Sequence, residues 1–304
     1  MTRIVFLGTP GAAIPTLDTM TRDSEVGLVI TRPDRPTGRS LRLQSSPVKQ
    51  RAEDLGLELR QPSNPAELDA ILGEEGPFDL GVVVAYGMIL GREALATPAH
   101  GMLNVHFSLL PRWRGAAPVA RALMAGDSMT GVTIISLDEG VDSGPVLTAQ
   151  AVDIKRDETA GELTGRLASL GAGLLRTVIP GYVAGDLIPV PQVEEGATYA
   201  SKLTAGDRPL RPTMSRLEFI NRVRALSPAP AATIDLDGDT YKVLRAQSHP
   251  HAPEPGAMES VSGVPILGVA DGGIEVVEIQ APGKRAIPGA DWVRGRRGVD
   301  GFFQ

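Results

Sequence analysis

The chain contains no cysteine. Disulfides, thiolate zinc sites and a cysteine nucleophile are therefore excluded. Aromatic residues make up only 4% of it, which argues against gripping single-stranded RNA by stacking bases on rings. No apolar run approaches the roughly 18 residues that span a bilayer. The apolar part of the opening Met1 to Pro10 stretch is too short for a secretory signal and leads directly into a strand. Positive charge is not in excess either: 36 acidic residues against 30 Lys and Arg leave a net charge of −6. The whole chain is thus not a basic nucleic-acid binder, and an RNA partner would need local basic patches. These absences lead to the expectation of a cytoplasmic protein that touches no membrane.

What remains has ordinary globular composition, 42% hydrophobic and 22% charged. Its 304 residues leave room for two domains at about 100–200 residues each. Arg3 to Leu7 reads as a buried strand, Gly8-Thr9-Pro10-Gly11 as a turn, Ala12 to Met20 as a helix and Val26 to Ile30 as a second strand. Strand, helix, strand predicts a parallel sheet with a crossover helix. The turn lacks Gly-x-Gly-x-x-Gly, so a dinucleotide is not expected there. Leu55 to Leu59, Asp79 to Tyr86, Gly131 to Leu137 and Val146 to Ile154 read as further strands, the last at a sheet edge. Pro65 to Leu72, Ala116 to Ala125 and Glu158 to Ile179 read as helices. The glycines in the last of these, Gly161, Gly165, Gly171 and Gly173, should weaken it by about 1 kcal/mol each relative to Ala.

Between Thr31 and Arg51, Arg32, Arg35, Arg39, Arg42, Lys49 and Arg51 stand against one acid, Asp34. Two prolines and a glycine in Pro33 to Gly38 argue against a regular element here. A long basic loop in a compact domain is either a solvated surface or a binding loop. Pro189 and Pro191 open a linker. Beyond it the helix Met214 to Leu226 precedes short strands at Ala232 to Leu236, Thr240 to Ala246, Val264 to Val269 and Ile274 to Ile279. Short strands with Gly turns predict a small β-barrel. The fold class expected is α/β, a Rossmann-like, mostly parallel sheet with helices on both faces, plus an OB-like C-terminal barrel. The expected bounds are 1–187 for the first domain, 188–204 for a linker and 205–304 for the barrel.

The chemistry concentrates in Met102 to Pro118. A short apolar run carries Asn104 and His106 to its end, where Ser108 and Pro111 break it. Open α/β sheets bind ligands at the carboxyl ends of their strands. One His beside one Asn in a strand is more often structural than catalytic. A second stretch, Thr133 to Pro145, shifts the balance, because its strand ends in a Gly-rich loop presenting Asp138, Glu139 and Asp142. No His lies at metal-ligand spacing with these acids, and His249 with His251 in Ser-His-Pro-His reads as an exposed loop, so no metal is expected.

The segments NVHFSLLPRWRGAAPV and LDEGVDSGPVL resemble the signature of the folate-dependent formyltransferases. Further segments extend the likeness almost end to end: FLGTP, TRPDRPTGR, SSPVK, VVVAYGMIL, YASKL and PGKRAIPGADWVRG. The form SLLPRWRGAAP points to those members whose acceptor is methionyl-tRNA. The resemblance implies a monomeric enzyme that moves the formyl group of 10-formyltetrahydrofolate to the α-amino group of initiator methionyl-tRNA. It implies Asn104, His106 and Asp142 as catalytic residues. It implies folate contacts at Val84, Ala85, Tyr86, Ser108, Leu109, Leu110, Pro111, Arg114, Gly115, Asp138 and Gly140, and tRNA contacts at Arg35, Arg39 and Arg42. The chain departs from the family pattern at Gly11, Ala12 and Arg211-Pro212, where the family carries an acid, Phe, and an acid followed by Trp. Alternatives left open are a formyltransferase for an amino-sugar nucleotide or glycinamide ribonucleotide, a formyl-folate hydrolase, and a non-catalytic RNA-binding module. A dehydrogenase lacks both its glycine pattern and its acidic ribose anchor.

Overall fold

Apolar strands buried on both faces need helices to cover them, and the chain supplies strands and helices in alternation. In the computed structural model, which describes residues 1–37, 42–295 and 301–303, β1 (Arg3–Gly8) leads through a single 3-10 turn into α1 (Ile14–Asp23) and β2 (Glu25–Ile30). There follow β3 (Arg35–Thr37), β4 (Arg42–Gln44), α2 (Pro47–Asp54), β5 (Leu59–Arg60), α3 (Pro65–Glu75), β6 (Leu80–Val84), α4 (Arg92–Ala96) and β7 (Met102–His106). Then come α5 (Pro118–Ala125), β8 (Met129–Ser136), β9 (Val146–Asp153) and α6 (Ala160–Ala184). The order in the large sheet is β5-β2-β1-β6-β7-β8-β9. Pairs from β5 to β7 are parallel, and β8 runs antiparallel to β7. Every residue of β6 and β7 is buried.

The chain divides into two compact units. One holds Met1–Pro118, Thr130–Asp153 and Thr164–Ala200. The other holds Val119–Met129, Ile154–Leu163 and Ser201–Gln304. In the second, α7 (Arg216–Leu226) precedes β10 (Ala232–Leu236), β11 (Asp239–His249), β12 (Ala257–Val261), β13 (Val264–Val269), β14 (Gly272–Gln280), β15 (Ala286–Pro288), α8 (Gly289–Arg294) and β16 (Gly301–Phe302). Its sheet order is β10-β11-β14-β13-β12-β16. An antiparallel bridge from Leu236 to Phe303 links the two ends, so the barrel nearly closes. Phe219 of α7 meets Phe303 edge-on at 6.4 Å between ring centres in its core. Within this unit Arg121 grips Asp207 with two nitrogens at 2.7 and 3.2 Å, which holds the Asp207 carboxyl down at about 2.

The sheet is parallel-rich and the second unit is a barrel, as the sequence predicts. The differences are local. The segment 31–51 is not irregular throughout: β3 pairs with β4, and α2 begins at Pro47, where the Ser46 hydroxyl accepts from the Lys49 N–H at 3.0 Å. Such an isolated two-stranded ribbon tolerates Pro36, since one edge needs no donor. α2 ends at Asp54, Leu55 to Glu58 form the turn and connection that follow it, and the strand begins only at Leu59. The helix expected from Met214 starts at Arg216, because Ser215 caps it by accepting from the Glu218 N–H. His249 ends β11 and is not in a loop, and His251 pairs with Glu259 at 2.6 Å. Among the described residues α6 is long and apolar enough to cross a membrane by length and composition, unlike the sequence expectation. Leu163, Leu167 and Leu175 of α6 are nevertheless completely buried, so that stripe is core.

The glycines of α6 are not equivalent. A Cβ on Gly171 would stand 2.4 Å from Val105 Cγ1 and 3.3 Å from Val132 Cγ1, whereas Gly165 and Gly173 have open space. Gly171 therefore sets how closely the helix lies on β7, the strand that carries Asn104 and His106. Gly173→Ala should stabilise the protein by up to about 1 kcal/mol through helix propensity. Gly171→Ala should instead lose about 1–3 kcal/mol to overpacking. Urea midpoints of the two variants measure the opposite signs, and two stabilising variants would refute the packing argument.

Candidate active site

β7 places Asn104 opposite Val83 of β6 on one side and Ile135 of β8 on the other, while His106 sits opposite Thr133. With period two along the strand, Asn104 and His106 share one face and Val105 takes the other. Both are buried, at 8% and 5% exposure. β8 runs antiparallel, so its end lies beside Leu103 at the start of β7. The loop after it folds back, pinned by the Ser136 N–H donating to Pro145 O at 2.9 Å. Gly144 permits that fold, since a Cβ there would lie 1.9 Å from Ser136 O.

The fold-back delivers Asp142 to the same point. Asn104 Nδ2 donates to Asp142 Oδ1 at 3.3 Å. His106 Nδ1 faces Asp142 Oδ2 at 3.5 Å. The Gly115 N–H donates to that same Oδ2 at 2.7 Å. His106 Nε2 lies 2.9 Å from Trp113 O. A carbonyl only accepts, so Nε2 carries a hydrogen, and a second proton on Nδ1 would face the carboxylate. Asp142 itself has φ 50°, in the left-handed region.

A cavity of about 560 Å³ opens over these side chains, within the ~300–1,000 Å³ usual for small-molecule sites. Val83, Met88, Ile89, Leu90 and Leu137 supply apolar wall, and Asn104, His106, Asp138 and Asp142 supply polar points. Ala85 and Tyr86 also line it. Burial pushes the Tyr86 phenol up to about 12, against the opposing effect of Arg32 beside it. The Tyr86 carbonyl accepts from Thr9 Oγ1 at 2.8 Å, which ties the first strand-helix turn to the cavity.

Of the residues expected to contact folate, Ala85, Tyr86, Gly115, Asp138 and Gly140 line the cavity. Val84 is fully buried in β6. Ser108, Leu109, Leu110 and Pro111 belong to the bend and turn that follow β7 and are not among the residues lining the cavity. The Ser108 hydroxyl donates to Arg112 O at 2.7 Å, and Thr133 Oγ1 donates to Ser108 O at 2.8 Å. The Arg114 guanidinium, 2% exposed, turns to Gln192 and Glu194. Asp138 accepts from Gly140 N and Ser143 Oγ, shaping its own loop. Glu139 pairs with Arg92 at 2.7 Å. In the basic segment Arg35 is exposed on β3, Arg42 lies on β4 and Arg39 lies outside the described residues. Lys49 and Arg51 are taken by Asp34 and Asp18 at 2.7 Å each. Sequence reasoning missed Gln192 and Thr198. Thr198 Oγ1 accepts from the Trp113 N–H at 2.9 Å. Nothing but their place after a Pro-rich stretch marked them.

An amide, an imidazole and a carboxylate converging in a cavity at strand ends, on a parallel-rich sheet followed by a small barrel, define a group-transfer enzyme by class. The formyl transferase family matches residues 2–179, and the formyl transferase C-terminal domain matches residues 202–297. The chain belongs to the formyl transferase family. It is 45% identical over 306 residues to the methionyl-tRNA formyltransferase of Halorhodospira halophila, covering 98% of both chains. To that of Streptomyces coelicolor it is 42% identical over 305 residues, again covering 98% of both. In fold it is similar to an N-formyltransferase from Helicobacter canadensis solved with folinic acid and dTDP-3-aminofucose. The TM-score there is 0.70 at 16% identity, over 92% of this chain and 100% of that one.

The turn carrying Gly115 tests the site's geometry. Gly115 has φ 114°, and a Cβ there would lie 2.9 Å from Ala200 O. Gly87 has φ 80° but open space around it. Gly87→Ala should cost about 1–2 kcal/mol of backbone strain alone. Gly115→Ala should cost at least that much and lower the melting temperature further, because strain and collision add. Equal melting temperatures would remove the collision from the account.

Proposed function

We propose that this chain transfers the formyl group of 10-formyltetrahydrofolate to the α-amino group of initiator methionyl-tRNA, acting as a monomer in the cytoplasm. The observation that carries the chemistry is the convergence of Asn104, His106 and Asp142 within the cavity. The near full-length likeness to methionyl-tRNA formyltransferases supports the acceptor. Residues 1–187 serve as the catalytic domain, 188–204 as the linker and 205–304 as a tRNA-binding barrel.

The cavity fits a pterin-bearing ligand, having apolar walls with polar groups at a few points. Ala85, Tyr86, Gly115, Asp138 and Gly140 would hold it, backed by Val84, the turn Ser108, Leu109, Leu110, Pro111 and the adjoining Arg114. When bound, the folate supplies an activated formyl carbon. The work of the chain is to bring that carbon to Asn104. One amide hydrogen of Asn104 goes to Asp142, and the second is free for an oxygen gathering negative charge. A donor aimed at such an oxygen lowers the barrier by about 3 kcal/mol. His106, with Nε2–H fixed on Trp113 O, brings positive charge next to the same point when Nδ1 is protonated. Asp142 balances that charge and would take the amine's proton through water, a proton that the leaving nitrogen of the folate takes up as its bond to the formyl carbon breaks. The acceptor needs little help at the start, since a free α-amino group has a pKa of about 8 and is partly neutral near pH 7.

Asn104→Ala and His106→Ala should each lower turnover by about a hundredfold or more in the transfer assay with charged initiator tRNA. Full turnover in either variant removes that residue from the mechanism, and a wild-type chain inactive in this assay removes the reading itself. Arg35, Arg39 and Arg42 are assigned to the tRNA backbone, where a guanidinium fork grips phosphate. Arg35→Ala should weaken tRNA binding and reduce the slope of log affinity against log salt by about 1. Folate binding should be unchanged; an unaltered salt slope argues against the contact.

A further inference from the structure

The segment Val190 to Ala200, which the sequence marks only as linker, is fastened to the site at both ends. Val190 exchanges two backbone hydrogen bonds with Val146, at 2.7 and 2.8 Å. Further on, Arg114 N–H donates to Thr198 O at 2.9 Å, and Ala200 N–H donates to Arg114 O at 2.7 Å. Gln192 lies between these fastenings. Its Nε2 donates to Asp142 O and Gly144 O, each at 2.8 Å. Its Oε1 accepts from Arg114 Nε at 3.1 Å and Nη2 at 2.9 Å. All four hydrogen-bonding positions of the amide are thereby used. Arg114 is itself fixed, by Glu194 at 3.1 Å to each of two nitrogens.

The two carbonyls that Gln192 grips bracket the turn of the Asp142 loop. Asp142 sits at φ 50°, a conformation that costs an ordinary residue about 1–2 kcal/mol. Its carboxylate is then aimed at Asn104, His106 and the Gly115 N–H. A strained backbone of this kind persists only where its surroundings hold it. The two hydrogen bonds from Gln192 supply that hold, and they act on backbone alone.

We propose that Gln192, oriented by Arg114, is a positioning residue for the transfer reaction: it locks the backbone of Asp142 so that the carboxylate stays between Asn104 and His106. The proposal rests on the catalytic role assigned to Asp142 above. It separates two functions of the strap. Arg114 and Glu194 set the amide's orientation, and the amide sets the carboxylate. Gln192 touches neither substrate nor reacting atom in this assignment.

A double-mutant cycle in the full-length chain tests it, with kcat and KM for both substrates and melting temperatures for every variant. Gln192→Ala removes both contacts. Gln192→Glu keeps an acceptor for Arg114 but turns an oxygen toward the two carbonyls, so only the Asp142 side is lost. Both variants should lower kcat roughly ten- to a hundredfold, the scale of a misplaced catalytic group, with KM within about twofold. In an Asp142→Asn background, Gln192→Ala should cost less than about twofold more, because a residue that acts through the carboxylate has nothing left to position. An equal loss in both backgrounds overturns the proposal, as does kcat at the wild-type level. A rise in KM with kcat unchanged overturns it as well, by making Gln192 a substrate contact. If both variants lose kcat only in step with their melting temperature, the strap is merely structural and the proposal falls. Wild-type chain in the same assay keeps the two levels apart: an active wild type with an unaffected Gln192→Ala sinks the positioning role alone, while an inactive wild type sinks the assigned reaction.

Discussion

One carboxylate organises the site. Asp142 accepts from an amide on β7, faces an imidazole on the same strand, and accepts a backbone N–H from the turn that follows it. Two stretches of chain, the strand and the turn after it, are thereby registered through three contacts on a single anion whose side chain is 17% exposed. A charge this far from water needs hydrogen bonds to its oxygens. The contacts that meet this need also place Asn104 and His106. Stability and placement therefore come from the same atoms.

The topology makes this possible. β6 and β7 are parallel and end together, so the residues after Val84 and the end of β7 border one cavity. β8 reverses direction, which would carry its loop away from that end. The loop returns only because Ser136 and Pro145 close its base and Gly144 lets the chain cross its own carbonyl. On the opposite face of β7, Gly171 lets α6 settle against Val105. The strand bearing the polar pair is thus fixed from behind by close packing and from in front by hydrogen bonds. Rotation of β7 about its axis would draw Asn104 away from Asp142, and both constraints oppose it.

Much of this was legible in the chain. Asn104 and His106 draw notice as polar residues near the end of an apolar run, where a sheet presents its ligands, whereas Asp142 is one of three acids in a Gly-rich loop and is singled out only by the family resemblance. β10 and β13 have the bounds the alternation predicts, Ala232–Leu236 and Val264–Val269. The misses have physical causes. β3 and β4 escape notice because Pro36 and nearby glycine read as breakers, although a two-stranded ribbon has edges that accept proline. β15 and β16 span three and two residues, too short to show a period. α1 begins later than expected because Gly11–Ala13 forms a 3-10 turn first. Gln192 is silent in the sequence because its use depends on two carbonyls from Asp142 and Gly144, and backbone acceptors leave no residue signature.

Arg114 shows why such contacts exceed what stability alone requires. Its guanidinium is nearly inaccessible, yet its carboxylate partner Glu194 is 77% exposed. Burying a cation costs several kcal/mol, and an ion pair seldom returns more than it loses. An apolar side chain of similar volume would pack in this place at less cost. It would present no fork to Gln192, however, and the amide could then turn its oxygen toward Asp142 O. Guanidinium nitrogens only donate, so they admit one orientation of the Gln192 amide, with its oxygen toward Arg114 and its nitrogen toward the loop. The buried charge works as a constraint on orientation, passed from Arg114 to an amide, from the amide to a backbone, and from that backbone to the carboxylate.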